Sequence, residues 1–154
     1  MEKYIVDEYA FQMKPYQDLE YNTKIYTQNG IIKSKQTPLE IIKGSCMAYY
    51  SNYEGRRQAT MHKTKYKYKV PIILCKIKGI YAFPTNSPGN YQTEWIFVNN
   101  LIKINEINKQ QSEIQYKDGS KIITHISAHI LNKQLTRTYA LMHMVNMDKG
   151  ADHH

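Results

Sequence analysis

Apolar positions along the chain follow two rhythms. Residues 4–13 and 20–28 are rich in Tyr, Ile, Val and Thr and predict strands. Asn29-Gly30 follows as a hairpin signal, and 31–35 continues as a short third strand. Thr37-Pro38-Leu39-Glu40 then reads as a helix start. Thr caps, Pro takes the first helical position, and Glu reaches back to the cap. Leu39, Ile42 and Cys46 share one face of that helix, which Gly44 is expected to end or bend. Ser51-Asn52-Tyr53-Glu54 repeats the capping pattern and opens a second helix to about His62. Gly55 weakens this helix by roughly 1 kcal/mol relative to Ala.

Further on, 70–76 and 80–83 read as buried strands, 84–92 as a loop, and 94–98 and 101–108 as strands again. Residues 110–126 pattern as a hairpin turning at Asp118-Gly119. A two-residue turn there would set Ile114 across from Ile123 and Tyr116 across from Lys121. Leu131, Leu135, Thr138, Met142 and Val145 recur at spacings of three and four, predicting a helix over 127–145. The order predicts an α+β fold: mainly antiparallel sheet with hairpins, a central short helical region and a C-terminal helix. A chain of 154 residues supports one well-packed core, so 1–147 is expected to form a single domain and 148–154 a polar tail.

Composition narrows the class. An apolar fraction of 42% with 22% charged residues argues against disorder along the whole length. No apolar run approaches the roughly 20 residues of a membrane span. Met1-Glu2-Lys3-Tyr4 does not read as a secretory leader. Cys46 and Cys75 are too few and too distant for a disulfide framework or a zinc site. A cytoplasmic protein without membrane partner, metal or other cofactor is expected.

Charge changes the picture more. The formal net charge is +8, and residues 55–93 hold eight basic side chains and no Asp or Glu. Thirteen basic and thirteen acidic residues elsewhere cancel. A local positive field of this kind attracts a polyanion. Interleaving with Tyr66 and Tyr68, behind the pair Arg56-Arg57, favours nucleic acid over a merely solvated face.

The 51–57 block makes sense as a phosphate and groove reader. Ser51, Asn52 and Tyr53 open a helix whose first amides and dipole end suit an anion. Arg56 and Arg57 lie one turn in, where arginine can enter a narrow A/T minor groove, and Gly55 would allow close approach. The competing reading is structural, with Ser51 capping, Tyr53 packing and the arginines on the surface. Lys63, Lys65, Lys67 and Lys69 alternate as on one face of a strand and would touch phosphates without reading sequence. Arg137 beside the last apolar stripe admits either an ion pair or a DNA contact. His125 and His129 have helical metal spacing, but no Cys or carboxylate completes a site. Neither cysteine has a locally paired His, and 55–93 offers only His62 for nuclease chemistry, so no catalytic residue is assigned.

Several blocks together resemble the ComK family. They are Pro38-Leu39-Glu40-Ile41-Ile42, Ser45-Cys46, the 51–57 block with Thr60, and Lys69-Val70-Pro71-Ile72. Phe83-Pro84-Thr85-Asn86-Ser87, Trp95-Ile96, Tyr116-Lys117-Asp118-Gly119, Gln134 and Arg137-Thr138 complete the set. The resemblance implies a competence-type transcription activator that binds paired A/T-rich boxes of double-stranded DNA, largely through the minor groove. It also implies homodimers that assemble further. In the family's longer members a C-terminal extension past the Arg-Thr helix is associated with activation and with adaptor–protease regulation; this chain ends at His154. Two other classes compete: a protein-interaction module with a basic face, and a non-specific nucleic-acid-binding protein.

Overall fold

Alternation with period two builds the centre of the molecule. The computed structural model describes residues 3–148. Six strands form one antiparallel sheet: β1 (Ala10–Pro15), β2 (Thr23–Thr27), β3 (Gly30–Ser34), β4 (Ile72–Cys75), β5 (Ile80–Pro84) and β6 (Trp95–Phe97), in the order β3-β2-β1-β6-β5-β4. Along β5, Ile80 and Ala82 face one core cluster while Tyr81 and Phe83 face another. Along β6, Trp95 and Phe97 join the first cluster and Ile96 the second. Strands buried on both faces need a layer on each side.

Two helices supply the first layer. Ile41, Ile42 and Cys46 of α1 (Pro38–Ala48) and Tyr53 of α2 (Tyr53–Thr64) pack with the first cluster. The expected capping box of α1 is complete: Thr37 Oγ1 accepts from the Glu40 amide at 3.3 Å, and a Glu40 carboxylate oxygen accepts from the Thr37 amide at 2.9 Å. That backbone bond holds the Glu40 carboxyl below its usual range. Gly44 does not end α1, which runs through it to Ala48.

The second layer joins a meander to the last helix. Strands β7 (Leu101–Asn108), β8 (Gln111–Tyr116) and β9 (Lys121–Thr124) form a separate three-stranded sheet, and α3 (Ala128–Met147) lies beside it. Leu101, Ile114, Tyr116, Ile122, Leu131 and Leu141 pack with the second cluster. Tyr116 ties this layer to the sheet: its ring stacks on Phe11 at 4.4 Å, and its hydroxyl donates to Gln12 Oε1 at 2.7 Å.

The architecture is the expected α+β fold, with two local corrections. The β8–β9 hairpin closes on Lys117, Asp118 and Gly119, so Ile114 pairs with Ile122 and Gln115 with Lys121. The left-handed Gly119 (φ 90°) makes this a three-residue loop rather than the expected two-residue turn. The one-residue slip buries Ile122 and leaves Ile123 51% exposed. Residues 4–9 also fall outside β1, because Val6 is held by the α1 hydroxyl of Ser45 at 3.0 Å instead of by a strand.

Candidate nucleic-acid interface

The expected reader begins where α1 gives way to α2. Ser51 does not cap; its hydroxyl donates to the Cys46 carbonyl at 3.1 Å. Asn52 caps instead, its Oδ1 accepting from the Gly55 amide at 3.0 Å. Tyr53 turns inward, edge-on to Trp95 at 6.4 Å between ring centres, and burial pushes its phenol up to about 12. A Cβ at Gly55 would meet Asn52 at 3.8 Å, ordinary contact, so packing within the chain does not demand glycine there.

Consecutive residues on a helix diverge by about 100°, and Arg56 and Arg57 do so. Arg57 pairs with Glu54 one turn back at 3.0 Å. Arg56 is half-buried, and its Nε has no hydrogen-bond partner among the described residues. It lies near the Cys46 thiol, which burial raises to about 11 against the opposing pull of this guanidinium and of the Ser51 hydrogen bond.

The lysines do not alternate along a strand. Lys63 sits in the last turn of α2 and pairs with Asp148 at 2.6 Å. Lys65 closes that helix in the left-handed conformation, φ 66°, and Lys69 is also left-handed at φ 49°. Residues 65–71 are an irregular connection into β4, because a helix end and a proline leave no room for strand pairing. Among the described residues Lys65, Lys67 and Lys69 have no carboxylate within 4.0 Å.

What holds this connection was not legible from local pattern. Buried Gln134 of α3 donates through one amide nitrogen to the Lys69 carbonyl at 2.8 Å and the Pro84 carbonyl at 2.9 Å. Arg137 donates to Gln134 Oε1 and, at 2.8 Å, to the Tyr68 carbonyl. Its guanidinium also lies 4.2 Å from the centre of the Tyr66 ring. Thr138 hydrogen-bonds back to the Gln134 carbonyl at 2.8 Å. These residues form a latch that presents Lys65, Lys67 and exposed Tyr68 from a fixed backbone. In sequence Gln134 stood out only as one of the positions that carry the family resemblance, with no role attached to it.

Not all of the local charge excess survives folding. Arg57 meets Glu54, Lys63 meets Asp148, and Lys78 meets Glu8 at 3.7 Å. No three His, Cys, Asp or Glu among the described residues gather into a group that could hold a metal. His125 Nδ1 is 3.0 Å from Gln111 Nε2 instead. Cys46 and Cys75 are buried free thiols. No described helix is long and apolar enough to cross a membrane. Residues 149–154, most of the expected tail, lie outside the described residues, whereas Asp148 caps α3.

The ComK protein family matches residues 1–149. The Competence transcription factor of Bacillus subtilis (strain 168) is 28% identical over 116 residues, covering 75% of this chain and 60% of that protein. This chain therefore aligns with less than two thirds of that relative. No solved structure matches it.

Proposed function

The chain belongs to the ComK family, and on that premise we propose that it is a cytoplasmic competence transcription factor, a binding protein rather than an enzyme. Its ligand is A/T-rich double-stranded DNA, and its working form on paired boxes is a homodimer or larger. The observation that carries this reading is the latched connection: among the described residues Lys65, Lys67 and Lys69 have no carboxylate partner, and Gln134 and Arg137 hold their backbone. Fixing the backbone that carries cationic side chains lowers the ordering cost of binding a polyanion. Arg56 and Arg57 on α2 supply the guanidinium groups that suit a narrow, electronegative minor groove. Ser51, Asn52 and Tyr53 support the interface by setting where α2 starts.

The Arg57–Glu54 pair favours a second reading, sequence-independent binding. A guanidinium already engaged at 3.0 Å must exchange its partner before it can read a groove. Titration of A/T-rich and G/C-rich duplexes at several salt concentrations separates the two. About five phosphate contacts from this surface give a log–log salt slope of roughly −4 to −5. A preference for A/T-rich DNA supports groove reading, and equal affinities support the second. A slope near zero overturns both.

A further inference from the structure

A second basic surface stands at the opposite edge of the six-stranded sheet, built from residues that lie far from 55–93 in sequence. In β2, Ile25 packs into the cluster on the α1 side, so Lys24 and Tyr26 point to the other face, where Tyr26 packs against the second cluster. Lys33 of β3 is the direct antiparallel partner of Lys24. Both ammonium groups lie over the same ring: Lys24 Nζ is 4.4 Å and Lys33 Nζ 5.5 Å from the centre of Tyr16.

Among the described residues neither lysine has a carboxylate within 4.0 Å. The acidic residues nearest in sequence, Asp18 and Glu20, belong to the loop between β1 and β2. There Asp18 caps the backbone amides of Glu20 and Tyr21 at 3.1 and 3.3 Å. Lys14, over the Tyr26 ring at 5.5 Å, already donates to the Ile123 carbonyl and faces Glu94. Like charges directly opposite across a ladder destabilise a hairpin, and the aromatic face between them only partly offsets the repulsion. An anion from outside would relieve the repulsion that remains.

We propose that Lys24 and Lys33, gathered over Tyr16, bind backbone phosphates of the same duplex that the latched connection engages; this rests on the DNA-binding reading above. The edge strands that adjoin the two surfaces, β3 and β4, are five inter-strand spacings or about 24 Å apart. At 3.4 Å of rise that is about 7 base pairs, well within one regulatory site. The contact carries no sequence information, because phosphates are alike everywhere.

The double variant Lys24→Ala/Lys33→Ala tests this. Its salt slope should be shallower than that of the unmodified chain by about 2, with equal losses on A/T-rich and G/C-rich duplexes. Its melting temperature should not fall, since a repulsion is removed and no hydrogen bond lost. Lys24→Arg/Lys33→Arg should keep the slope. An unmodified chain that binds DNA, with a folded alanine variant of unchanged slope, overturns this inference and leaves the DNA-binding reading standing. A variant that loses A/T preference but keeps its slope also overturns it, since the lysines would then be reading sequence. An unmodified chain that binds neither duplex overturns both.

Discussion

The two basic regions of this molecule are assembled in opposite ways. In residues 55–93 the charges are clustered in sequence, yet folding neutralises part of them through Glu54, Asp148 and Glu8. At the β2–β3 hairpin the charges are sparse in sequence, yet strand register sets Lys24 beside Lys33 with no carboxylate partner among the described residues. Local charge density is therefore a poor measure of the field a surface presents. What decides it is which carboxylates the fold delivers within reach. The regions also differ in how they are held. The hairpin is fixed by its own ladder, whereas the 65–71 connection depends on a helix that begins more than fifty residues later.

Breaking the latch should therefore affect one region only, and strongly. Gln134→Ala strands the Lys69 and Pro84 carbonyls and removes one of the two acceptors of Arg137, leaving the Tyr68 carbonyl. Leaving buried polar groups unpaired costs about 2–3 kcal/mol here. Chemical denaturation should show that loss, and amide exchange should accelerate at 65–71 while the β2–β3 hairpin keeps its protection. Equal acceleration in both would mean that the two regions unfold as one unit.

A smaller effect sharpens the comparison within the first region. Arg56→Ala and Arg57→Ala should reduce the preference for A/T-rich over G/C-rich duplexes. Lys65→Ala and Lys67→Ala should weaken binding to both by similar factors, each lowering the magnitude of the salt slope by about 0.9. Titrations of the four variants at several fixed salt concentrations decide this. Arginine variants that lose both duplexes equally would make the pair a phosphate anchor and move sequence reading elsewhere, for instance to loop 83–89. Arg57 should show the weaker loss of preference, because its guanidinium is already engaged by Glu54 and must leave that carboxylate to enter a groove.

The smallest effect concerns Glu94, the carboxylate that faces Lys14. Burial raises the Glu94 carboxyl above its usual range, while Lys14, the Thr124 hydroxyl and His125 pull it back. A raised carboxyl means that the folded state holds its proton more tightly than the unfolded state. Stability is then greatest below the unfolded value of 4.5 and falls as pH rises through the folded one. Glu94→Gln should remove that dependence and keep an acceptor for Thr124 Oγ1. Its melting temperature relative to the unmodified chain should therefore be higher at pH 7 than at pH 4. A constant difference between those pH values would show that Glu94 titrates normally.

Most of the secondary structure was legible because its causes are local. Thr37 and Glu40 cap α1 within one turn, Pro38 fits the first helical position, and alternation along β5 and β6 marks strands buried on both faces. The misses have equally physical causes. Asn52 rather than Ser51 caps α2, because Ser51 is drawn to the end of α1, and either residue type suits a cap. The β8–β9 register slipped because Asp-Gly serves two-residue and three-residue loops alike, and the choice falls to whichever isoleucine the core can bury.

The candidate site divides along the same line. By itself the sequence determined the α+β class, the helix caps, the clustering of Arg56, Arg57, Lys63, Lys65, Lys67 and Lys69, and the family resemblance. Each of these depends on residue identity and short-range spacing alone. Only the tertiary structure decided which charges remain unpaired, that Gln134 and Arg137 hold the basic connection, and that Lys24 and Lys33 meet over Tyr16. Salt bridges, buried hydrogen bonds and cross-strand neighbours join residues that chain closure brings together from many positions apart. Their effect depends on distances of a few ångströms, which no local pattern specifies.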